Sequence, residues 1–269
     1  MVYFMKYEWR KQGKALYGAR TAPALKTVPA QNYIKIDGRG DPNGADFSNR
    51  VGALYALAYA VKAAYKAASL QQEIDDFAVC PLEGVWAQIS GDDLEKDKLE
   101  YTLMIRQPDF ISGELVRQAQ EQVQRKKPNP LLGEIIFGAM QDGLCVEILH
   151  IGSYDDEPAS FAKMAQFAAA HGLRRTGDYH REIYLSNANR VEPCRRKTIL
   201  RCPVESVSPG SMEKYQTKRH GFGCAVSFVC GLAGLIGLLC AGSYSDLNIW
   251  SVVSLIFGGI CAIATWKQK

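Results

Sequence analysis

One order of elements occurs twice in this chain and limits what it can fold into. Asn32 to Ile36 alternates apolar and polar residues as a strand does, and the Gly38-Arg39-Gly40-Asp41-Pro42-Asn43-Gly44 turn interrupts it. Phe47 to about Ala68 then keeps helical spacing through Val51, Leu54, Tyr55, Ala58, Val61 and Tyr65, with Asp46 or Ser48 as its cap. Two strands follow, Leu82 to Gln88 and Leu99 to Arg106, divided by Gly91-Asp92-Asp93. The second pass begins with the strand Leu144 to His150 and a turn from Ile151 to Pro158. A helix from Ser160 to His171, stopped by Gly172, and the strands Tyr179 to Leu185 and Thr198 to Pro203 complete it. A polar helix from Ser112 to Lys127, ended by Pro128-Asn129-Pro130, joins the halves. The repeat sets Glu83 and Glu182 at equivalent points, so both are expected to face the seam between the halves.

Composition narrows the class. A chain of 269 residues with 47% hydrophobic and 22% charged residues buries one sizeable core or two small ones, which excludes disorder and a disulfide-stapled miniprotein. The formal charge of +4 is too small to argue for nucleic acid, and none is expected as a partner. Cys80, Cys145, Cys194 and Cys202 show no CxxC or Cys/His ligand spacing and read as reduced thiols, while Cys224, Cys230, Cys240 and Cys261 lie in apolar runs. Met1 to Arg10 holds no apolar stretch long enough for a signal peptide, so the bulk of the chain is expected in the cytosol.

Phe222 to Gly242 and Ile249 to Trp266 are uncharged runs, each close to the ~20 residues that cross a bilayer. A buried helical hairpin is the alternative, but two such segments in tandem at a chain end leave no amphipathic partner to cover them. Lys214, Lys218 and Arg219 precede the first run and Lys267 and Lys269 follow the second, whereas the link between them carries only Asp246. The positive-inside bias thus predicts a multi-pass membrane protein of two spans with both ends cytoplasmic. Small pairs four apart, such as Ser227 with Gly231, would let the spans pack closely, and neither contains an ionisable residue. The expected layout is a soluble domain over residues 1–206, a basic juxtamembrane linker over 207–221 and a two-helix anchor over 222–266.

Five stretches identify a family. Ile36-Asp37-Gly38-Arg39-Gly40-Asp41-Pro42, Pro81-Leu82-Glu83-Gly84-Val85-Trp86, Met104-Ile105-Arg106-Gln107-Pro108-Asp109-Phe110, His150-Ile151-Gly152-Ser153-Tyr154-Asp155-Asp156-Glu157 and His180-Arg181-Glu182-Ile183-Tyr184-Leu185-Ser186 resemble, in order, the GyrI-like small-molecule-binding domains. The match covers roughly Lys14 to Val204. It implies an α+β fold of tandem strand-helix-strand-strand modules with an antiparallel sheet and a ligand cleft where the halves meet. The family includes effector-binding domains of multidrug-sensing regulators and stand-alone domains; this sequence, lacking a helix-turn-helix, is similar to the latter.

In the multidrug-sensor domains a central carboxylate binds cationic drugs, and the matching position here is Glu182. A glutamate among aromatics meets a lipophilic cation with its charge, and ring faces add ~0.5–2 kcal/mol each, which gives broad specificity. Tyr55, Tyr59, Glu83, Trp86, Tyr101, Tyr154 and Tyr184 are expected around it, although each aromatic also serves ordinary core packing.

Some stand-alone relatives are similar in the Leu-Glu-Gly-Val-Trp and Met-Ile-Arg-Gln-Pro-Asp-Phe regions and hydrolyse cyclopropane-containing DNA alkylators. The resemblance then implies Glu182 or Glu83 as general base and Tyr154 or Tyr184 as donor to the carbonyl that accepts charge. The chain departs from that subgroup at Ala87 and Tyr101, where tryptophans are common, so a thinner aromatic cage is expected. A sensor or sequestering domain for lipophilic or cationic xenobiotics and a detoxifying hydrolase are both compatible with these residues. No metal or cofactor is expected: His150, His171, His180 and His220 lack ligand spacing, and Gly38-Arg39-Gly40 lacks the third glycine of a dinucleotide-binding loop.

Overall fold

The computed structural model describes residues 5–68, 74–87 and 99–207. The chain opens with β1 (Met5–Tyr7), two short helices α1 (Trp9–Gln12) and α2 (Lys14–Tyr17), and β2 (Ala24–Val28). The first repeat follows as β3 (Gln31–Arg39), α3 (Ala45–Ala68), β4 (Ile74–Phe77), β5 (Leu82–Ala87) and β6 (Glu100–Arg106). The connector α4 (Gly113–Lys126) and β7 (Ile136–Met140) lead to the second repeat: β8 (Gly143–Ile151), α5 (Glu157–Ala170), β9 (Leu173–Arg175), β10 (Tyr179–Tyr184) and β11 (Lys197–Ser206).

Local chemistry sets the boundaries. Ser112 caps α4 by accepting the Leu115 N–H at 3.2 Å. Pro158 lies in the first turn of α5, where a missing N–H costs nothing, and Gly172 ends it at φ 64°, a left-handed conformation open to glycine. In α3 the buried residues Leu54, Leu57, Ala58, Val61 and Tyr65 recur every three or four positions, the stripe that the spacing predicts.

The main sheet runs β2-β8-β11-β10-β5-β6-β3-β7, with β9 added beside β11, and each pairing in it is antiparallel. The α+β architecture of two strand-helix-strand-strand modules sharing one antiparallel sheet is therefore as expected, and β5 and β10 form the junction. Sequence patterning had not supplied β2 and β7. Each leads through two residues into the first strand of one module but pairs with the first strand of the other, β2 with β8 and β7 with β3. Two linking residues span at most ~10 Å, yet β2 and β3 stand near opposite ends of the strand order. The sheet must therefore curl until its ends approach.

Register assigns every side chain to one of two faces. Ile34 and Ile36, Leu103 and Ile105, Val146 and Ile148, and Leu200 and Cys202 share one face. The first four pack in the cluster that contains α3 and the last four in the cluster that contains α5, so both helices cover the same face. Residues Trp9 and Tyr17 of the N-terminal helices join Ile183 and Ile199 from the opposite face in the core. Among the described residues no helix is long and apolar enough to cross a membrane. The hairpin expected over 222–266, and the linker beyond Val207, lie outside the described residues.

Candidate functional site

The β5–β10 register aligns Gly84 with Glu182, Ile183 with Glu83 and Trp86 with His180. Trp86, His180, Glu182 and Tyr184 consequently point to the helix-covered face, while Glu83 and Arg181 point to the other. Glu83 pairs with Ile183 and Gly84 with Glu182, so Glu83 and Glu182 stand one register step apart on opposite faces. The two glutamates do not face one seam.

On the helix-covered face a continuous chain of side chains joins the first turns of α3 and α5. Phe47 of α3 stacks on Trp86 with centroids 5.9 Å apart, and Tyr101 packs edge-on to Phe47 at 5.2 Å. Trp86 Nε1–H donates to the Tyr184 hydroxyl at 3.0 Å. Tyr184 in turn donates to Glu182, and burial together with that carboxylate lifts the phenol well above its usual range. His180 Nε2 lies 2.9 Å from Glu182 Oε1. Glu157, the first residue of α5, completes the chain through a hydrogen bond between its carboxyl and that of Glu182.

The Glu157 carboxyl is perturbed as well. Burial comes first, and the charge and hydrogen bond of Glu182 add to it, so that the Glu157 carboxyl is pushed up to about 9. Two adjacent carboxyls do not both ionise cheaply out of water, so Glu157 keeps its proton at neutral pH. Glu157 and Glu182 are only 6% and 8% exposed, and Glu157 Oε1 has no hydrogen-bond partner among the described residues.

Tyr154 packs edge-on to Tyr184 at 6.0 Å and is partly open to solvent, with the Arg196 guanidinium 5.4 Å from its ring centroid. Tyr55 stacks with Tyr59 at 6.3 Å, and Tyr59 is exposed. Tyr101 is buried and fills the space above Gly38, where a Cβ would lie 2.3 Å from its ring. Gly84, directly opposite Glu182, has a similar role: a Cβ there would meet Trp86 Nε1 at 2.9 Å and the Tyr184 hydroxyl at 3.3 Å. The structure thus gathers Trp86, Tyr101, Tyr154, Glu182 and Tyr184 of the expected residues. It adds Phe47, His180 and Glu157, the last of which lies in the stretch from Ile151 to Pro158 that the sequence reads as a turn.

Glu83 belongs elsewhere. Its carboxylate takes Arg181 Nη1 at 3.0 Å and the Tyr17 hydroxyl at 3.3 Å. Arg181 also holds Asp142 at 2.6 Å, Arg201 bridges Asp142 and Glu147 at 3.3 and 3.0 Å, and Lys26 closes the series on Glu147 at 2.7 Å. Three acids face three bases in this network. Arg106 is likewise a strand-end residue bound to Gln31, Tyr7 and Asp109, and His150 is held by Ser160 and the Ser153 carbonyl.

Two such modules share one curled antiparallel sheet, with Glu182 and its aromatic neighbours at their junction. The chain belongs to the GyrI-like small molecule binding domain family, whose model matches residues 21–204. It is similar to the crystal structure of a hydrolase from Listeria innocua, with 35% identity and a TM-score of 0.69 over 75% of this chain and 100% of that one. An uncharacterised conserved protein from Listeria innocua is similar at 35% identity and a TM-score of 0.69, over 74% of this chain and 100% of that one. A further Listeria innocua hydrolase has 34% identity and a TM-score of 0.67, over 74% and 100%. No curated protein matches the chain.

Proposed function

We propose that the junction binds planar lipophilic molecules and favours those that carry positive charge, as a sensing or sequestering site for xenobiotics. The supporting observation is Glu182: a carboxylate almost withdrawn from water against the start of α5 and set beside Trp86, Tyr184 and Tyr154. An organic cation brings the countercharge, and ring faces replace the water it leaves behind. The uncharged runs at 222–242 and 249–266 support a membrane tether for this domain, which would hold it where lipophilic compounds concentrate. Glu182→Gln tests the reading by calorimetry. It weakens planar cations about 10- to 100-fold, the loss of a contact to a charged group worth ~1.5–3 kcal/mol, and spares neutral planar compounds. Equal loss for cationic and neutral ligands would remove Glu182 from the site.

Hydrolysis in the same cleft is the second reading, supported by the two Listeria innocua structures described as hydrolases. The carboxyl pair has an acid in Glu157 and a base in Glu182. For a strained cyclopropane conjugated to a carbonyl, Glu182 takes a proton from water as the oxygen bonds to the ring carbon. The ring C–C bond breaks, its electrons reach the carbonyl oxygen, and Glu157 or Tyr154 protonates that oxygen. A mass-spectrometric time course decides. Product one water heavier and in excess over protein supports turnover; unchanged compound despite binding rules it out.

A further inference from the structure

The junction holds two carboxyl groups where a simple cation needs one. Glu157 hydrogen-bonds Glu182 from the first residue of α5, its Oε1 lacks a partner among the described residues, and both side chains are almost fully buried. We propose that the Glu157–Glu182 pair is a proton-exchange site, selective for cations whose positive group donates N–H hydrogen bonds, such as amidinium groups. The inference rests on the proposed binding function and specifies its ligand class.

Such a group supplies what the shared proton supplies. It donates to one oxygen of each carboxyl and carries the charge that lets Glu157 ionise, so the proton leaves to solvent as the ligand enters. A quaternary cation has the charge without the donors; it leaves the Glu157–Glu182 hydrogen bond and its proton in place. The position of Glu157 at a helix N-terminus favours its ionised form once a countercharge arrives. Other groups around the pair are Asp155 and Asp156 in the preceding turn, His180 and Tyr184 on β10, Tyr154 with Arg196 beside it, and His150 from β8 against Ser160 of α5. Those groups act on every cation in the cleft, whereas exchange of the shared proton depends on the ligand's donors.

Calorimetry on the full chain in a non-ionic detergent tests this with two probes of matched size and charge. 2-Naphthamidine carries four N–H donors on its cationic group, and N-methylquinolinium carries none. Binding in phosphate and in Tris at one pH gives the number of protons released. The expected result is about one proton for the amidine, with affinity rising about tenfold per pH unit from 6 to 8, and less than half that slope for the quinolinium. Glu157→Gln, which cannot ionise, should abolish proton release and flatten the amidine profile. Equal proton release and equal slopes for the two probes, or an amidine profile unchanged in Glu157→Gln, would overturn the exchange while leaving cation binding intact. Failure of both probes to bind would overturn the binding function and the exchange together.

Discussion

Glu83 and Glu182 sit within one register step of each other on adjacent strands and point to opposite faces of the sheet. Glu182 looks toward α5 and the aromatic cluster; Glu83 looks toward Arg181 and Tyr17. Two acids that the repeated sequence makes look equivalent therefore have different partners: one joins Glu157 and the aromatic cluster, the other an ion network.

Glu83→Ala should accordingly be a stability mutation. Glu83 is 1% exposed, and its removal leaves part of the Arg181 guanidinium buried without countercharge. Breaking such a pair costs ~3–5 kcal/mol, less whatever Asp142 recovers. Urea unfolding should move to lower denaturant, while the protein that remains folded keeps its affinity for planar cations. Loss of affinity with unchanged stability would return Glu83 to the cleft.

Gly84→Ala tests the close approach across the junction. The added methyl would press Trp86 Nε1 at 2.9 Å and strain the hydrogen bond to Tyr184. Overpacking of this kind costs ~1–3 kcal/mol. We expect lower thermal stability, shifted tryptophan fluorescence and weaker binding of planar ligands together. Wild-type behaviour in all three would mean that the contacts around Gly84 yield freely.

The carboxyl pair predicts a stability profile with a definite sign. Glu157 is raised from an ordinary 4.5 to about 9. Across that window the unfolded chain has lost a proton that the folded chain keeps, so stability is greatest at the acid end and falls as pH rises. A decline on the order of 2–4 kcal/mol between pH 5.5 and 8.5 is expected from this group, and Glu157→Gln should flatten it. Parallel denaturation profiles for the two proteins would show that Glu157 ionises normally.

Periodicity carried most of the fold. The strands around Ile34, Met104, Ile148 and Leu200 and the helices α3 and α5 are legible because each keeps one face apolar over several turns or alternations, and the polar α4 is legible from the Pro128-Asn129-Pro130 that ends it. β2 and β7 are not, because their pairing is exchanged between modules and nothing local announces a partner that distant. The site was legible as a set of residue types but not by face. Glu83 adjoins Gly84, the partner of Glu182, and one residue turns a strand side chain to the other side of a sheet. Glu157 was missed for another reason. In Asp155-Asp156-Glu157-Pro158 all three acids suit a helix N-terminus, and only packing of α5 against β10 selects the one that turns inward.

The two uncharged runs beyond residue 221 make a separate prediction, open to fractionation. Each is close to bilayer length, and the basic residues flank the pair on the outside, so the full chain should stay in the membrane pellet after alkaline carbonate extraction. A chain ended after Ser206 keeps every strand of the sheet and should move to the supernatant. Cysteine labelling adds the topology: with both ends cytoplasmic, a cysteine introduced at Ser245 should react from the far side of the membrane only. Release of the full chain by carbonate would favour the buried helical hairpin and remove the tether from the proposed function, with the binding site itself unaffected.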